Sequence, residues 1–447
     1  MFTRDFSDHP PGWHVWLPCV LVGLALWVPL PFGSNRPWVW HLPGIIAGAC
    51  MMAVLARCDV PVRLQRSLFL FSGVLVWMLL QALPIWPGAV VSYPVTGSLV
   101  PLAVQPVTAV EHALRLASLG GVFFLGFVLA RDTAYGAVWV LRGMAVGGLI
   151  WALVSIFLEM LSPGRLLVLW EKEAYIGVLT GPFINRNAAA CFFGLVCLVV
   201  LGSADRMSGL YRSVMVSIPF VAVLMAGSRG GFAALVVALV VLVWLRRPQH
   251  KDSAKTLFLF LILILVSGRV VTDRWLATDP DHIDRFYVWH CLVRGIADQW
   301  WSGVGGGGFD HAFTGWRDVV TVQHWDRAHN MYLELAVEIG IPAFLVLAFV
   351  VLGQVRICWR QARAVRTDLA PAVGISALAL AAVQGLIDFA PQIPANSLWV
   401  ALLLGLGCGT QGHRFRKSRS ARQGATVQGP SFAHGQGLGQ SSAIPPP

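Results

Sequence analysis

The chain has 447 residues, of which 56% are hydrophobic and only 12% charged, and its formal net charge is +11. Soluble domains carry about 25% charged residues, so this composition excludes a water-soluble multidomain protein, and the mean hydropathy of +0.68 agrees. Nineteen tryptophans and 24 phenylalanines suit a chain solvated by lipid, because aromatic rings gather at membrane interfaces. In a soluble protein the basic balance would point to nucleic acid; in a membrane protein it is first a matter of topology, and no nucleic-acid partner is expected.

A spanning helix needs about 20 mostly apolar residues. Twelve such runs are centred near residues 22, 48, 75, 122, 150, 195, 219, 238, 263, 344, 378 and 401. The first is too long for a signal-peptide core and lacks a small-residue cleavage site, so it reads as a span. The expected fold class is all-α: a polytopic transmembrane bundle of about 12 spans with one large polar loop domain. Residues 1–13 form the N-terminal segment, 14–272 spans one to nine, 273–330 the loop domain, and 331–410 spans ten to twelve. The tail 411–447, rich in Gly, Ser, Gln, Arg and Pro, cannot bury a core and is expected to be disordered.

Lysine and arginine mark the cytoplasmic side. With the N-terminus inside and the sides alternating, 21 of 33 basic residues fall in cytoplasmic segments and 15 of 22 acids fall outside, a balance of +14 within and −3 without. Both termini are then cytoplasmic, and the chemistry is expected on the outer face. The eight cysteines show no CxxC spacing and predict neither a zinc site nor a disulfide framework.

Three outer segments are long: 84–112, 161–187 and 273–330. The second ends in GPFINRN, where Arg186 is flanked by Asn185 and Asn187, residue types suited to phosphate oxygens and sugar hydroxyls. Arg229 is the lone charge in MAGSRGGFAALVV, and an arginine at a membrane boundary implies a partner. From Arg285 to Trp300 the apolar residues Trp289, Leu292, Val293, Ile296 and Trp300 recur at helical spacing. This predicts an amphipathic helix on the outer surface, capped by Asp281 or Asp284, with Arg285 at phosphate depth. The VGGGGF stretch at 304–309 reads either as backbone amides around an anion or as a flexible loop. Five histidines lie on the largest loop: His282, His290, His311, His324 and His329. None pair at i, i+4, and no HExxH is present; a metal would need His324 and His329 with Asp326 or Asp310. His329 stands where the loop enters the tenth span, placed to take a proton near neutral pH. Glu334 and Glu338 follow one turn apart, share a helix face, and must meet the protein or an aqueous cavity.

Seven segments in this order resemble the O-antigen ligase and polymerase family of bacterial envelope glycosyltransferases. They are PLPFGSNRPWVW at 29–40, WMLLQALPIWP at 77–87, TGPFINRNAAACF at 180–192 and AGSRGGFAAL at 226–235. The others are RFYVWHCLVRGIADQWWSGVGGGGFDHAF at 285–313, AHNMYLELAVEIG at 328–340 and LIDFAPQIPANSLWVALLLGLG at 386–407. The resemblance implies a membrane-embedded, lipid-dependent glycosyltransferase of the bacterial inner membrane, active in lipopolysaccharide or exopolysaccharide assembly. Its donor would be a glycan on undecaprenyl diphosphate, moved en bloc to an acceptor hydroxyl of lipid A–core (ligase) or of another lipid-linked repeat (polymerase). By the same resemblance His329 would be the general base of a metal-independent, inverting transfer. Arg229 and Arg285, joined by Arg186, would hold the diphosphate; Asn185, Asn187, Asn330 and Glu338 would support the substrate. No metal or nucleotide cofactor is implied. The chain departs from many relatives at Met331, where they carry Asp after the His-Asn pair, and at Gln384, where they carry His. A transporter of a lipid-linked glycan or anion is the competing class, but the charges cluster at the boundary and no repeat is visible, unlike the usual transporter pattern.

Overall fold

A long apolar segment in lipid can satisfy its amides only within itself, as an α-helix, and the apolar runs do so. The computed structural model describes residues 12–30, 32–88, 99–133, 135–203, 209–246, 281–317, 325–364 and 368–410. In chain order the apolar helices are α1 (Trp13–Trp27), α2 (Pro37–Leu55), α3 (Val62–Ala82), α4 (Pro106–Asp132), α5 (Gly136–Leu161), α6 (Arg186–Ser203), α7 (Gly209–Ala226) and α8 (Arg229–Arg246). Three shorter helices follow: α9 (Asp281–Asp298), α10 (Phe309–Trp316) and α11 (Met331–Ile339). The bundle then resumes with α12 (Ile341–Ala364), α13 (Ala370–Gly385) and α14 (Pro394–Gly409). Among the described residues six helices are long and apolar enough to cross a membrane, and five more are shorter apolar helices. Each coincides with an expected span; the run centred near 263 lies outside the described residues, as do the tail and the side chains of Asp281 and Asp284. Two small antiparallel hairpins, Trp86–Pro87 with Leu99–Val100 and Arg165–Leu166 with Trp170–Glu171, ornament the loops.

The core is built around α6, buried on nearly every face, with α4 and α14 against each other. Lipid offers no hydrophobic drive between helices, so small residues that admit close backbones set the contact. On α14 a Cβ at Gly405 would lie 2.2 Å from the Phe123 carbonyl oxygen, and one at Gly409 2.2 Å from that of Phe127. Trp399 of α14 packs edge-on to Phe192 at 4.9 Å and donates its indole N–H to the Ala25 carbonyl at 2.9 Å, tying α1 to the centre. By contrast α3 and α12 leave Phe69, Val76, Phe349 and Leu352 exposed, as lipid-facing helices should. All eight cysteines are free thiols.

Two local expectations change. The tenth apolar run is divided: Gly340, at φ +79°, separates α11 from α12. Leu333 and Val337 of α11 pack with Val288, Leu292, Phe309 and Phe313 of the loop helices. The amphipathic helix α9 forms, but its fully buried side chains are Val288, Cys291 and Leu292, while Val293, and Trp300 just past its end, are exposed. Its apolar face is turned to protein before membrane, because α11 supplies a partner that periodicity alone does not reveal.

Candidate active site

His329 sits on the residue before a helix cap, and the cap explains how it is held. The Asn330 side-chain oxygen accepts from the amides of Tyr332 (3.0 Å) and Leu333 (3.1 Å), closing the start of α11. The same side chain donates to the Leu386 carbonyl at 3.0 Å, fastening that helix start to the turn after α13. His329 itself has φ +51°, a left-handed backbone that costs a side-chain-bearing residue about 1–2 kcal/mol. The preceding residues are clamped to hold it there. Glu334, fully buried, accepts from Arg327 Nη1 at 2.9 Å and from the Ala328 amide at 2.8 Å, while the Trp289 indole donates to the Ala328 carbonyl at 2.9 Å. Burial works against the Arg327 charge, but Glu334 and Glu338 together outweigh it and raise its pKa.

The imidazole Nδ1 lies 3.2 Å from Asp388 Oδ2. That carboxylate is fixed from two further sides, by Asn187 Nδ2 at 2.7 Å and by the Ala390 amide at 2.8 Å. The network continues: Asn187 Oδ1 accepts from Ser228 Oγ at 2.7 Å, and Ser228 Oγ accepts from the Gly231 amide at 3.1 Å. Asn185 Oδ1 accepts the Asn187 amide at 2.6 Å as α6 begins, and Gln384 donates to the Asn187 carbonyl at 2.8 Å. The ring is held edge-to-face by Trp325 and Phe389, with centroids 5.7 and 5.1 Å away. His329 keeps 19% of its side chain accessible against 4% for Asp388, so the acid is sealed and the base is reachable.

Two of the expected arginines are chain neighbours of network residues, and the third reaches the backbone beside one. Arg186 opens α6 beside Asn187, its guanidinium 5.3 Å from the centroid of the Tyr175 ring. Arg229 opens α8 directly after Ser228. Arg285 reaches the carbonyl of Ile387, next to Asp388, at 3.4 Å. Asn185, Asn187 and Asn330 thus belong to the scaffold around His329. Glu338 belongs to a neighbouring cluster: the Gly305 amide donates to its carbonyl oxygen at 2.9 Å, and the amides of Gly307 and Phe309 face its carboxyl. Burial, reinforced by the Glu334 charge, pushes that carboxyl up to about 8, against the opposing pull of Arg327 and those amides.

The glycine stretch packs closely against two other segments. The Val304 amide donates to the Val337 carbonyl and the Val104 amide to the Val304 carbonyl, both at 2.9 Å. A Cβ at Gly303 would stand 2.3 Å from the Glu338 carbonyl oxygen, at a backbone φ of +68°. The glycines are there to let three segments close on one another. Among the described residues no group of three His, Cys, Asp or Glu is placed to hold a metal ion; His324 lies outside them.

Asp388 is the residue that sequence reasoning overlooked. The signal was present: it is the only charge between Asp368 and residue 410, and a lone acid in an apolar stretch must be partnered. Gln384, one of the two departures noted above, proves to touch the site through Asn187.

Residues 214–348 match the family model described as O-Antigen ligase. No curated protein sequence matches the chain. The matched stretch holds Arg229, Arg285 and His329, and the geometry joins them to Asn187 and Asp388 on either side of it. Within a polytopic helical membrane protein, residues 214–348 are therefore similar to the O-antigen ligase domain, and that similarity supports a membrane glycosyltransferase of the ligase or polymerase type.

Proposed function

We propose that the chain moves a preassembled glycan en bloc from undecaprenyl diphosphate to an acceptor hydroxyl, as a ligase, on the outer face of the bacterial inner membrane. The observation that carries this reading is the His329 Nδ1–Asp388 Oδ2 contact at 3.2 Å, with three arginines beside its network. A carboxylate that accepts from Nδ1–H selects the tautomer whose Nε2 is a free base. Nε2 takes the acceptor O–H proton as the acceptor oxygen bonds to the anomeric carbon. The bond from that carbon to the diphosphate oxygen breaks, its electron pair leaves with undecaprenyl diphosphate, and configuration inverts. Asp388 offsets the charge on the imidazolium. Arg186, Arg229 and Arg285 offset the charge growing on the diphosphate, as guanidinium forks do best. The arginines supply the counter-charge, so metal and nucleotide have no part in this step.

The test is transfer from a lipid-linked glycan to lipid A–core in membranes holding wild-type or His329→Ala protein at equal abundance. The expected result is loss of transfer with full-length, unattached glycan accumulating on the lipid. Undiminished transfer by His329→Ala refutes the base; accumulation of single repeats instead assigns the chain to polymerisation.

A further inference from the structure

The hairpin after α5 carries apolar residues where a turn in water carries polar ones. Its strands, Arg165–Leu166 and Trp170–Glu171, are joined by a turn in which the Leu169 amide donates to the Leu166 carbonyl at 3.1 Å. The two central residues, Leu167 and Val168, have φ of +49° and +67°. A hairpin turn with φ positive at both central positions ordinarily takes Asn-Gly, because a Cβ opposes the left-handed region and a β-branched one opposes it most. Here leucine and valine stand there instead. The turn also points its side chains outward: Leu169 is 75% exposed, and Val168 and Trp170 are exposed too. The backbone thus bears strain whose result is an apolar tip. The base of the hairpin is firm. Lys172 donates to the Val178 carbonyl at 2.9 Å and pairs with Glu159 in the last turn of α5, the two side chains being only 4% and 9% accessible. Breaking a buried pair is costly, so the hairpin is fastened to the helix, and the Lys172 amide adds a bond to the Gly164 carbonyl at 2.9 Å. The charges Arg165, Glu171, Lys172 and Glu173 flank the turn, and none lies in it.

Glu159 marks the inward side of α5. On the opposite side Val146, Ile150, Leu153, Phe157 and Leu161 recur at helical spacing and are all exposed. That is the lipid-facing stripe of a helix long and apolar enough to cross a membrane, and it runs to the last residue of α5, shortly before the hairpin begins. A protein partner suits the tip poorly: Leu167, Val168, Leu169 and Trp170 are few, whereas a stable interface engages about 20–30 residues a side. A bilayer boundary suits it well, with apolar residues toward the acyl chains, charges at the base, and a tryptophan at headgroup depth. Trp170 is braced there against Phe32, edge to face at 5.2 Å. We propose that the Leu167–Trp170 turn is inserted into the lipid leaflet on the His329 side of the bundle, as a rigid anchor. In lipid the apolar side chains gain what the backbone strain costs, and Asn-Gly would lose. The segment runs on to Tyr175, whose ring centroid lies 5.3 Å from the Arg186 guanidinium, so the anchor would set the depth of that cation relative to the headgroups. The insertion itself depends on no reading of the chemistry.

The experiment places a bimane label on Leu169→Cys or on Glu173→Cys of the full-length chain, in nanodiscs of phosphatidylethanolamine and phosphatidylglycerol. Cys19, the exposed native thiol, is replaced by Cys19→Ser, and that background, labelled alike, is the blank. One quencher is a lipid carrying a nitroxide just below its headgroup; the other is iodide in water. The lipid nitroxide should quench Leu169→Cys several-fold more than Glu173→Cys, and iodide should quench it several-fold less. Iodide that reaches both labels equally puts the tip in water and overturns the proposal. A Leu169→Cys label shielded from both quenchers puts the tip against protein, a second copy included, and overturns it as well. In a second arm, Leu167→Asn with Val168→Gly gives the turn the residues its backbone prefers and takes away its apolar ones. This variant should elute as the parent does and melt no lower, yet lose most of the lipid quenching at Leu169→Cys. Undiminished lipid quenching there would show that the turn residues do not hold the tip in lipid, and the anchor would fall.

Discussion

As a base His329 gains from a partner on its other nitrogen, which fixes the tautomer and offsets the imidazolium charge, and Asp388 stands 3.2 Å from Nδ1. Asp388→Asn keeps the shape and removes the charge that selects the tautomer, so turnover should fall by about 10²–10⁴-fold, the range of general-base contributions. A single-turnover assay checks this; a loss below threefold would reduce Asp388 to scaffolding. Arg229→Lys and Arg285→Lys should each cost about tenfold or more in turnover, because a point charge does not replace a bidentate fork; wild-type rates in both would remove them from the diphosphate. The arginines and His329 were legible in sequence because each is a polar residue standing out at an apolar boundary. Asp388 carries the same mark, but its partner lies 59 positions away, a distance no local pattern spans.

The 303–309 turn and α11 form one element in mechanical terms, since the turn's amides end on the carbonyls of Val337 and Glu338. Gly303→Ala would drive a methyl into the Glu338 carbonyl and should lower the melting temperature and transfer together; an unchanged melting curve would show that the turn yields. Glu338 adds a pH dependence. Its folded pKa of about 8 exceeds the ordinary 4.5, so between those values the folded state binds more protons than the unfolded one. Stability should therefore fall as pH rises across that window, and Glu338→Gln should flatten the slope in melts at pH 5, 6.5 and 8. The break at Gly340 was hidden from hydropathy because apolar residues continue on both sides of it. The docking of α9 was hidden because periodicity reports which face is buried and not what buries it.

At the scale of the whole molecule, hydropathy sufficed for the bundle: every expected span within the described residues is an apolar helix. The sequence distribution of basic residues predicts that the site faces outward. Introduced cysteines near Asp310 should react with an impermeant reagent from outside and cysteines near Arg363 should not; the reverse pattern inverts the topology. What hydropathy leaves open is which helix ends meet, and here chain order and spatial order diverge sharply. The Asn187–Asp388 bond joins residues 201 apart, and His329 answers to an acid that follows it in the chain. If His329 is the base, it is made and inserted before Asp388, and on that reading the nascent protein should stay inactive until its last two helices are threaded. On the proposed mechanism, an aborted chain ending at residue 348, the end of the matched stretch, would hold the histidine and all three arginines but lack Asp388, and should be inactive. Supplying the rest of α12 with α13 and α14 as a separate polypeptide should then switch it on.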